Sequence, residues 1–346
     1  MSFSLGIIGL PNVGKSTLFK ALTQQEVDIS NYPFCTIDPN VGIVRVPDQR
    51  LKILSEIIKP EKTTPTIIEF VDIAGLVKGA HKGEGLGNQF LAHIREVDAI
   101  IHVIRSFTDK DIKHVEDSIN INRDIEIINI ELIMKDLETI EKHKKKLEKE
   151  IKANNKQAIK ENEILQETEK QLNNYEFITL DEKQKQTIKH LNLLTIKPMI
   201  YLINSKGEDH ELQALKTLPE NTIPLDLKLE LEYSELTLEE QQELKIKQRL
   251  DVLIKTSYKL LNLISFYTIK GGTETRAWTA QQNTLAPQAG GIVHTDFETK
   301  FIRAQVINYK ELIEAKSWNE AKNKGLIKTQ GKSYQVKDGD IIEFKI

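Results

Sequence analysis

Apolar residues along this chain fall first into short strand-like runs alternating with helical stripes, then into a long heptad stretch, then into strands again. Leu5, Ile7 and Ile8 form a buried-strand run, and Leu18, Phe19 and Leu22 give the following segment a helical face. Val41 to Val46 alternates as a strand, Leu51 to Ile58 reads as a short amphipathic helix, and Thr66 to Asp72 is a β-branched strand. Leu86 to Val97 reads as a helix and Asp98 to Arg105 as a buried strand. From Ile121 the period changes. Ile130, Ile133, Leu137, Ile140, Leu147 and Ile151 follow a/d spacing, with Lys144 interrupting the seam. Ala153-Asn154-Asn155 is a turn, and Ile164, Leu165, Thr168 and Leu172 carry a return helix, so 121–175 predicts an antiparallel hairpin inserted into the first domain. Thr187 to Leu194 reads as helix, Lys197 to Asn204 and Thr222 to Lys228 as strands, and Leu236 to Leu263 as helix. Beyond Phe266 the chain is β-rich, with Lys337-Asp338-Gly339-Asp340 as a turn. The expected division is an α/β domain over 1–120 and 176–263, the hairpin over 121–175, and a small domain over 264–346.

Composition narrows this picture modestly. A length of 346 residues allows two or three domains, and 29% charged with 39% hydrophobic residues suits a packed soluble core. A net charge of −3 makes no global demand for DNA, RNA or a membrane surface. Cys35 is the one cysteine, which excludes an intrachain disulfide framework and a cysteine-rich zinc site. No apolar run is long enough to span a bilayer, and a strand starting almost at Met1 leaves no room for a signal peptide, so the expected location is cytoplasmic. The hairpin is locally basic: Lys142, Lys144, Lys145, Lys146, Lys149, Lys152, Lys156 and Lys160 crowd its distal part. Such runs are commonly a solvated coiled-coil face; the sharper reading is contact with RNA phosphates, without stacking, since no aromatics are interleaved.

The densest chemistry lies between the first strand and the first helix. Gly9-Leu10-Pro11-Asn12-Val13-Gly14-Lys15-Ser16-Thr17 fits G-x-x-x-x-G-K-[ST], the phosphate-binding loop. Glycines let backbone approach phosphate, and the free N–H groups of a helix start point at the anion. Residues Asn12 to Thr17 are the expected nucleotide contacts, with Lys15 on the β- and γ-phosphates and the Ser16 hydroxyl on Mg²⁺. Residues 28–40 form a Pro-containing polar loop where P-loop GTPases have switch I, and Thr36 is its candidate Mg²⁺ ligand. Asp72-Ile73-Ala74-Gly75 matches the D-x-x-G of switch II, with Asp72 near the metal and the Gly75 N–H at the γ-phosphate. Leu76 stands where Ras-like enzymes orient water with Gln, so hydrolysis is slow or uses another group. Asn204 ends the strand that carries N-K-x-D in GTPases, but the carboxylate position is Gly207, with Glu208 and Asp209 one and two residues on. Losing a charge-assisted pair removes about 1.5–3 kcal/mol of guanine preference. That favours ATP over GTP, with Asn204 at the base edge and Leu227 beside it.

Gly-Leu-Pro-Asn-Val-Gly-Lys-Ser-Thr (9–17), Asn-Tyr-Pro-Phe-Cys-Thr-Ile-Asp-Pro (31–39) and Asp-Ile-Ala-Gly-Leu-Val-Lys-Gly-Ala (72–80) together resemble the YchF/Obg-like ATPase family. The resemblance runs along nearly the whole chain. It implies a Ras-like P-loop NTPase domain, a C-terminal β-grasp TGS domain carrying Arg276-Ala277-Trp278-Thr279 and His294-Thr295-Asp296-Phe297, and ribosome binding through large-subunit rRNA. It also implies that His114, in a loop beyond the fourth predicted strand, takes part in hydrolysis, with His81 the weaker rival. The family usually has Glu at the position of Gly207, so this chain departs further from the guanine pattern. Two other readings stay open: an Obg-type GTPase using Glu208, and a nucleotide-stabilised RNA- or protein-binding module whose hydrolysis is incidental.

Overall fold

The computed structural model describes residues 3–24, 40–73, 93–108, 118–206, 218–244 and 249–346. Thr36, Gly75, Leu76, His81, His114, Gly207 and Glu208 lie outside the described residues.

The first sheet contains β1 (Ser4–Ile8), β2 (Val41–Arg45), β4 (Ile67–Asp72), β5 (Ala99–Arg105), β6 (Met199–Asn204) and β7 (Thr222–Leu225), in the order β2-β4-β1-β5-β6-β7. All its pairs are parallel except β2 on β4. β5 and β6 are buried at every position, which is why they read as unbroken apolar runs. Helix α1 (Lys15–Thr23) and a later helix, Leu250–Leu260, cover one face, through Leu18, Leu22, Leu253 and Ile254. The first turns of α3 (Ile121–Lys152) cover the other, through Ile125, Ile128 and Leu132. The α/β expectation holds for this sheet.

α3 continues past the sheet, turns at 153–155 with Asn154 at φ 57, and α4 (Lys156–Asn173) packs back along it. Ile133, Ile140 and Leu147 meet Ala158, Ile164, Leu165 and Leu172, and Ile178, Leu180, Ile188 and Leu191 close a third side. Lys144, which breaks the heptad seam, reaches Glu169 across the two helices at 2.6 Å. Where α3 leaves the sheet, fully buried Asp136 accepts hydrogen bonds from the N–H groups of Leu194 and Thr195 and from the Thr195 hydroxyl. That carboxylate fixes the hairpin to the segment entering β6. The helix expected over Thr187 to Leu194 is instead α5 (Glu182–Ile188) and a 3-10 turn (Lys189–Leu191), stopped by Asn192 at φ 46.

The second sheet draws five strands from the end of the chain: β8 (Leu263–Lys270), β9 (Glu274–Gln281), β10 (Arg303–Asn308), β11 (Lys328–Gln330) and β12 (Asp340–Lys345). Its sixth strand, β3 (Lys62–Thr64), does not come from there; it pairs parallel with β9. The order is β11-β10-β12-β8-β9-β3. Helix α2 (Gln49–Ile58) goes with β3, placing Leu51 and Leu54 against Tyr267, Ala277 and Ile307. Arg50 holds Asp48 at 2.9 Å and Asp338 at 2.6 Å, and the Tyr267 hydroxyl donates to Asp48. A boundary at residue 264 is therefore crossed by a helix and a strand from the first 64 residues. The helix expected over Leu236 to Leu263 is two, α7 (Leu238–Leu244) and α8 (Leu250–Leu260), and Leu263 opens β8.

Candidate nucleotide-binding site

The phosphate loop joins the carboxyl end of β1 to α1, in the crevice where α/β sheets bind ligands. Two of its glycines are dictated by sterics. At Gly9, φ is 144 and an added Cβ would lie 2.3 Å from the Val103 carbonyl oxygen. At Gly14, φ is 108 and a Cβ would lie 2.5 Å from Asn204 Nδ2. Asn12 also takes a left-handed conformation, at φ 61. Gly14 is the N-cap of α1, and no side chain caps that helix, so its first N–H groups face outward for an anion. Val13 is buried and anchors the loop, while Asn12 and Ser16 are exposed and Thr17 is half-buried.

Lys15 folds over the loop, donating to the carbonyls of Gly9 and Leu10 at 3.0 and 2.6 Å. Burial lowers its pKa to about 8, against the opposing pull of Asp72. Asp72 ends β4, its neighbour in register is Ile7 of β1, and it is 7% exposed. A serine hydroxyl at a helix start and a carboxylate at a strand end are hard oxygen donors, and that set suits Mg²⁺, which keeps several waters of its own. Ser16 and Asp72 are the described residues that would hold the ion.

Asn204 and Leu227 are brought together, in a way the sequence did not indicate. Asn204 Nδ2 donates to the Val13 carbonyl at 2.9 Å, and its Oδ1 accepts the Leu227 N–H at 3.2 Å. The amide thus ties the phosphate loop to the first residue of the helix that follows β7, leaving one N–H and one lone pair for a base. The strand expected to run to Lys228 ends at Leu225. Asp226 caps the next helix, α6 (Leu227–Ser234), by accepting from Lys228 and Leu229 N–H groups, so Leu227 is the first helical residue.

Two features had no sequence signal beyond residue type. His102, on β5 beside Ile8, is fully buried, and among the described residues neither ring nitrogen has a hydrogen-bond partner. Burial, and secondarily the charge of Lys15, lowers its pKa to about 3, so the ring is neutral. At the carboxyl end of β5, Arg105 and Lys206 both lie over the Phe107 ring, at 4.7 and 4.8 Å from its centroid. The Ser106 N–H donates to the Asn204 carbonyl, which joins this cationic rim to the base-side amide.

A family model described as "50S ribosome-binding GTPase" matches residues 4–160, and the C-terminal YchF-GTPase model matches 263–346. The chain is 47% identical to the "Ribosome-binding ATPase YchF" of Bacillus subtilis, covering 100% of this chain and 99% of that protein. It is 45% identical to the protein of the same name from Escherichia coli O157:H7, over 99% of each. The solved structure of the Schizosaccharomyces pombe YchF GTPase superposes with a TM-score of 0.88 at 38% identity, covering 99% of this chain and 98% of that one.

Proposed function

The chain belongs to the YchF family, and from that premise we propose that it is a Mg²⁺-dependent nucleoside triphosphatase that hydrolyses ATP and acts as a nucleotide-controlled switch on the ribosome. The observation that carries this reading is the phosphate cradle: an uncapped α1 behind Gly14, with Lys15 over the loop and Asp72 alongside. ATP enters with its phosphates on the N–H groups of Asn12 to Thr17; Ser16, Asp72 and Thr36 complete the metal's shell, and Gly75 reads the γ-phosphate. When Lys15 exchanges the Gly9 and Leu10 carbonyls for phosphate oxygens, its charge passes from the loop to the nucleotide. Ligand-dependent ordering of two loops is how P-loop switches work.

Gly207 offers guanine no carboxylate, which supports ATP. The second reading, a GTPase using Glu208, is supported by the likeness to the S. pombe protein, which is named a GTPase. Hydrolysis is assigned to His114, because Leu76 cannot orient water. The C-terminal sheet is assigned as a TGS-type module. Contact with rRNA phosphates is assigned to Lys146, Lys149 and Lys152, which are exposed near the hairpin's end, whereas Lys145 is paired with Glu141 and Lys144 with Glu169. ATP turnover by the full chain, with and without ribosomes, is the test. Stimulation by ribosomes, weakened when those three lysines become Glu, is expected. Turnover indifferent to ribosomes would instead support a binding module whose hydrolysis is incidental.

A further inference from the structure

A second constellation sits in the hairpin and uses none of the phosphate-site residues. His143 on α3 and His190 in the 3-10 turn both direct Nε2 at the same oxygen of Glu161 on α4, at 2.7 and 3.2 Å. The ligating atoms of the three side chains all lie within 4.8 Å of one another, and the two imidazole rings are 5.1 Å apart. Glu161 is nearly buried, with its side chain 11% exposed; His143 is 21% and His190 52% exposed.

A carboxylate withdrawn from water needs a positive partner. Elsewhere on these helices even the more exposed glutamates pair with lysine: Glu169 with Lys144, Glu138 with Lys142, Glu141 with Lys145. Among the described residues Glu161 has only two imidazoles, which in neutral form offer nitrogen lone pairs. Two imidazole nitrogens and one carboxylate oxygen are the donor set of borderline divalent ions; Mg²⁺ and Ca²⁺ want six or more oxygens. Around a tetrahedral ion with bonds of about 2.0–2.1 Å, donor atoms stand about 3.3 Å apart. The 3.2 Å pair already meets that spacing, the 2.7 Å pair opens by roughly half an ångström, and the two imidazole nitrogens, within 4.8 Å of each other, draw together by side-chain rotation.

We propose that His143, Glu161 and His190 bind a divalent transition-metal ion of the zinc class, which cross-ties both hairpin helices to the segment returning to β6. Three protein donors leave one position for water, on the exposed His190 side. The ion places a double positive charge beside the nearly buried carboxylate and clamps three segments that apolar packing brings together.

The test uses the untagged full chain, stripped of metal and kept free of nucleotide. Titration with Co²⁺ is followed by the visible absorption of four-coordinate cobalt, and Zn²⁺ then competes. One saturable equivalent is expected, displaced by Zn²⁺. Second-sphere partners alone cost 10–100-fold in metal affinity, so losing a direct ligand should cost at least about 100-fold. His190→Ala, at a half-exposed turn, and the near-isosteric Glu161→Gln should both show this loss, while His294→Ala, at an exposed helix cap, should not. Zn²⁺ should raise the thermal midpoint of the native chain and leave His190→Ala unmoved. Absence of saturable binding, or unchanged affinity in both His190→Ala and Glu161→Gln, would overturn the proposal.

Discussion

Replacing Asn204 by Ala tests how the phosphate loop is held. The side chain is 6% exposed and makes two hydrogen bonds, to the Val13 carbonyl at 2.9 Å and from the Leu227 N–H at 3.2 Å. Its removal leaves two buried backbone groups without partners, at about 1–3 kcal/mol each. In the free protein the loop relaxes to recover part of this with water. Nucleotide binding must then draw the loop back, so the cost falls largely on affinity, as for any ligand whose competent state is only partly populated. At the lower limit of about 2 kcal/mol, ATP affinity falls roughly 30-fold. Asn204→Asp keeps the acceptor for Leu227 but sets an oxygen against the Val13 carbonyl, so it should be no better than Ala. Gly14→Ala places its Cβ 2.5 Å from Asn204 Nδ2 at a φ of 108. Combined with Asn204→Ala the clash is removed and the backbone strain remains, so the double variant should lose less than the sum of the singles. Calorimetric titration with Mg²⁺–ATP reads all four variants against the native chain. If Asn204→Ala binds within threefold of the native chain and Asn204→Asp is indistinguishable from it, the latch does not hold the loop.

Three further outcomes are expected. The Lys15 pKa of about 8 lies below its ordinary 10.5, whereas bound phosphate favours the charged form, so between those values binding takes up a proton and affinity falls as pH rises. Calorimetry at pH 9 in buffers of different ionisation enthalpy should reveal the uptake, and Lys15→Arg should abolish it; equal uptake in both proteins would remove Lys15 as its source. His102 has a folded pKa of about 3 against 6.5 unfolded, so the unfolded chain binds the extra proton and stability drops as pH falls through that window, by up to about 1.4 kcal/mol per pH unit. His102→Leu should flatten this dependence in denaturant titrations and cost little at pH 7, because it removes two unpartnered nitrogens; an unchanged slope would refute the assignment. His114→Ala should lower single-turnover hydrolysis at saturating ATP by at least about tenfold while affinity moves less than about threefold; a native rate in that variant beside a slow His81→Ala would transfer the role to switch II.

The phosphate site was readable because it is local: one strand, nine residues and one helix hold the glycines, Lys15 and Ser16 in a single stretch. Helix α3 was readable because heptad spacing persists over several of its turns. What escaped reading depends on distant partners. The amphipathic face of α2 shows that Leu51 and Leu54 are buried, but nothing in the segment says that the second sheet buries them. Lys62–Thr64 is three residues long and becomes a strand only because β9 offers an edge. Leu227 looked like a strand residue until the Asp226 cap placed it in a helix. Asn204 was identified by position, but its ties to Val13 and Leu227, 191 and 23 residues away, were not legible in its own segment. His143, Glu161 and His190 have no motif spacing, and only the hairpin's return joins them.

Under the proposed function this cradle takes ATP with Mg²⁺ and lacks, at Gly207, the carboxylate with which GTPases read guanine. Competition binding of ATP against GTP on the purified chain, with Mg²⁺ and again with EDTA, addresses it most directly. ATP is expected to bind at least as tightly as GTP, Mg²⁺ to strengthen binding, and Lys15→Ala to abolish tight binding of both nucleotides. A GTP preference above about tenfold, or about 1.4 kcal/mol, would contradict it and make Glu208 the base-reading carboxylate.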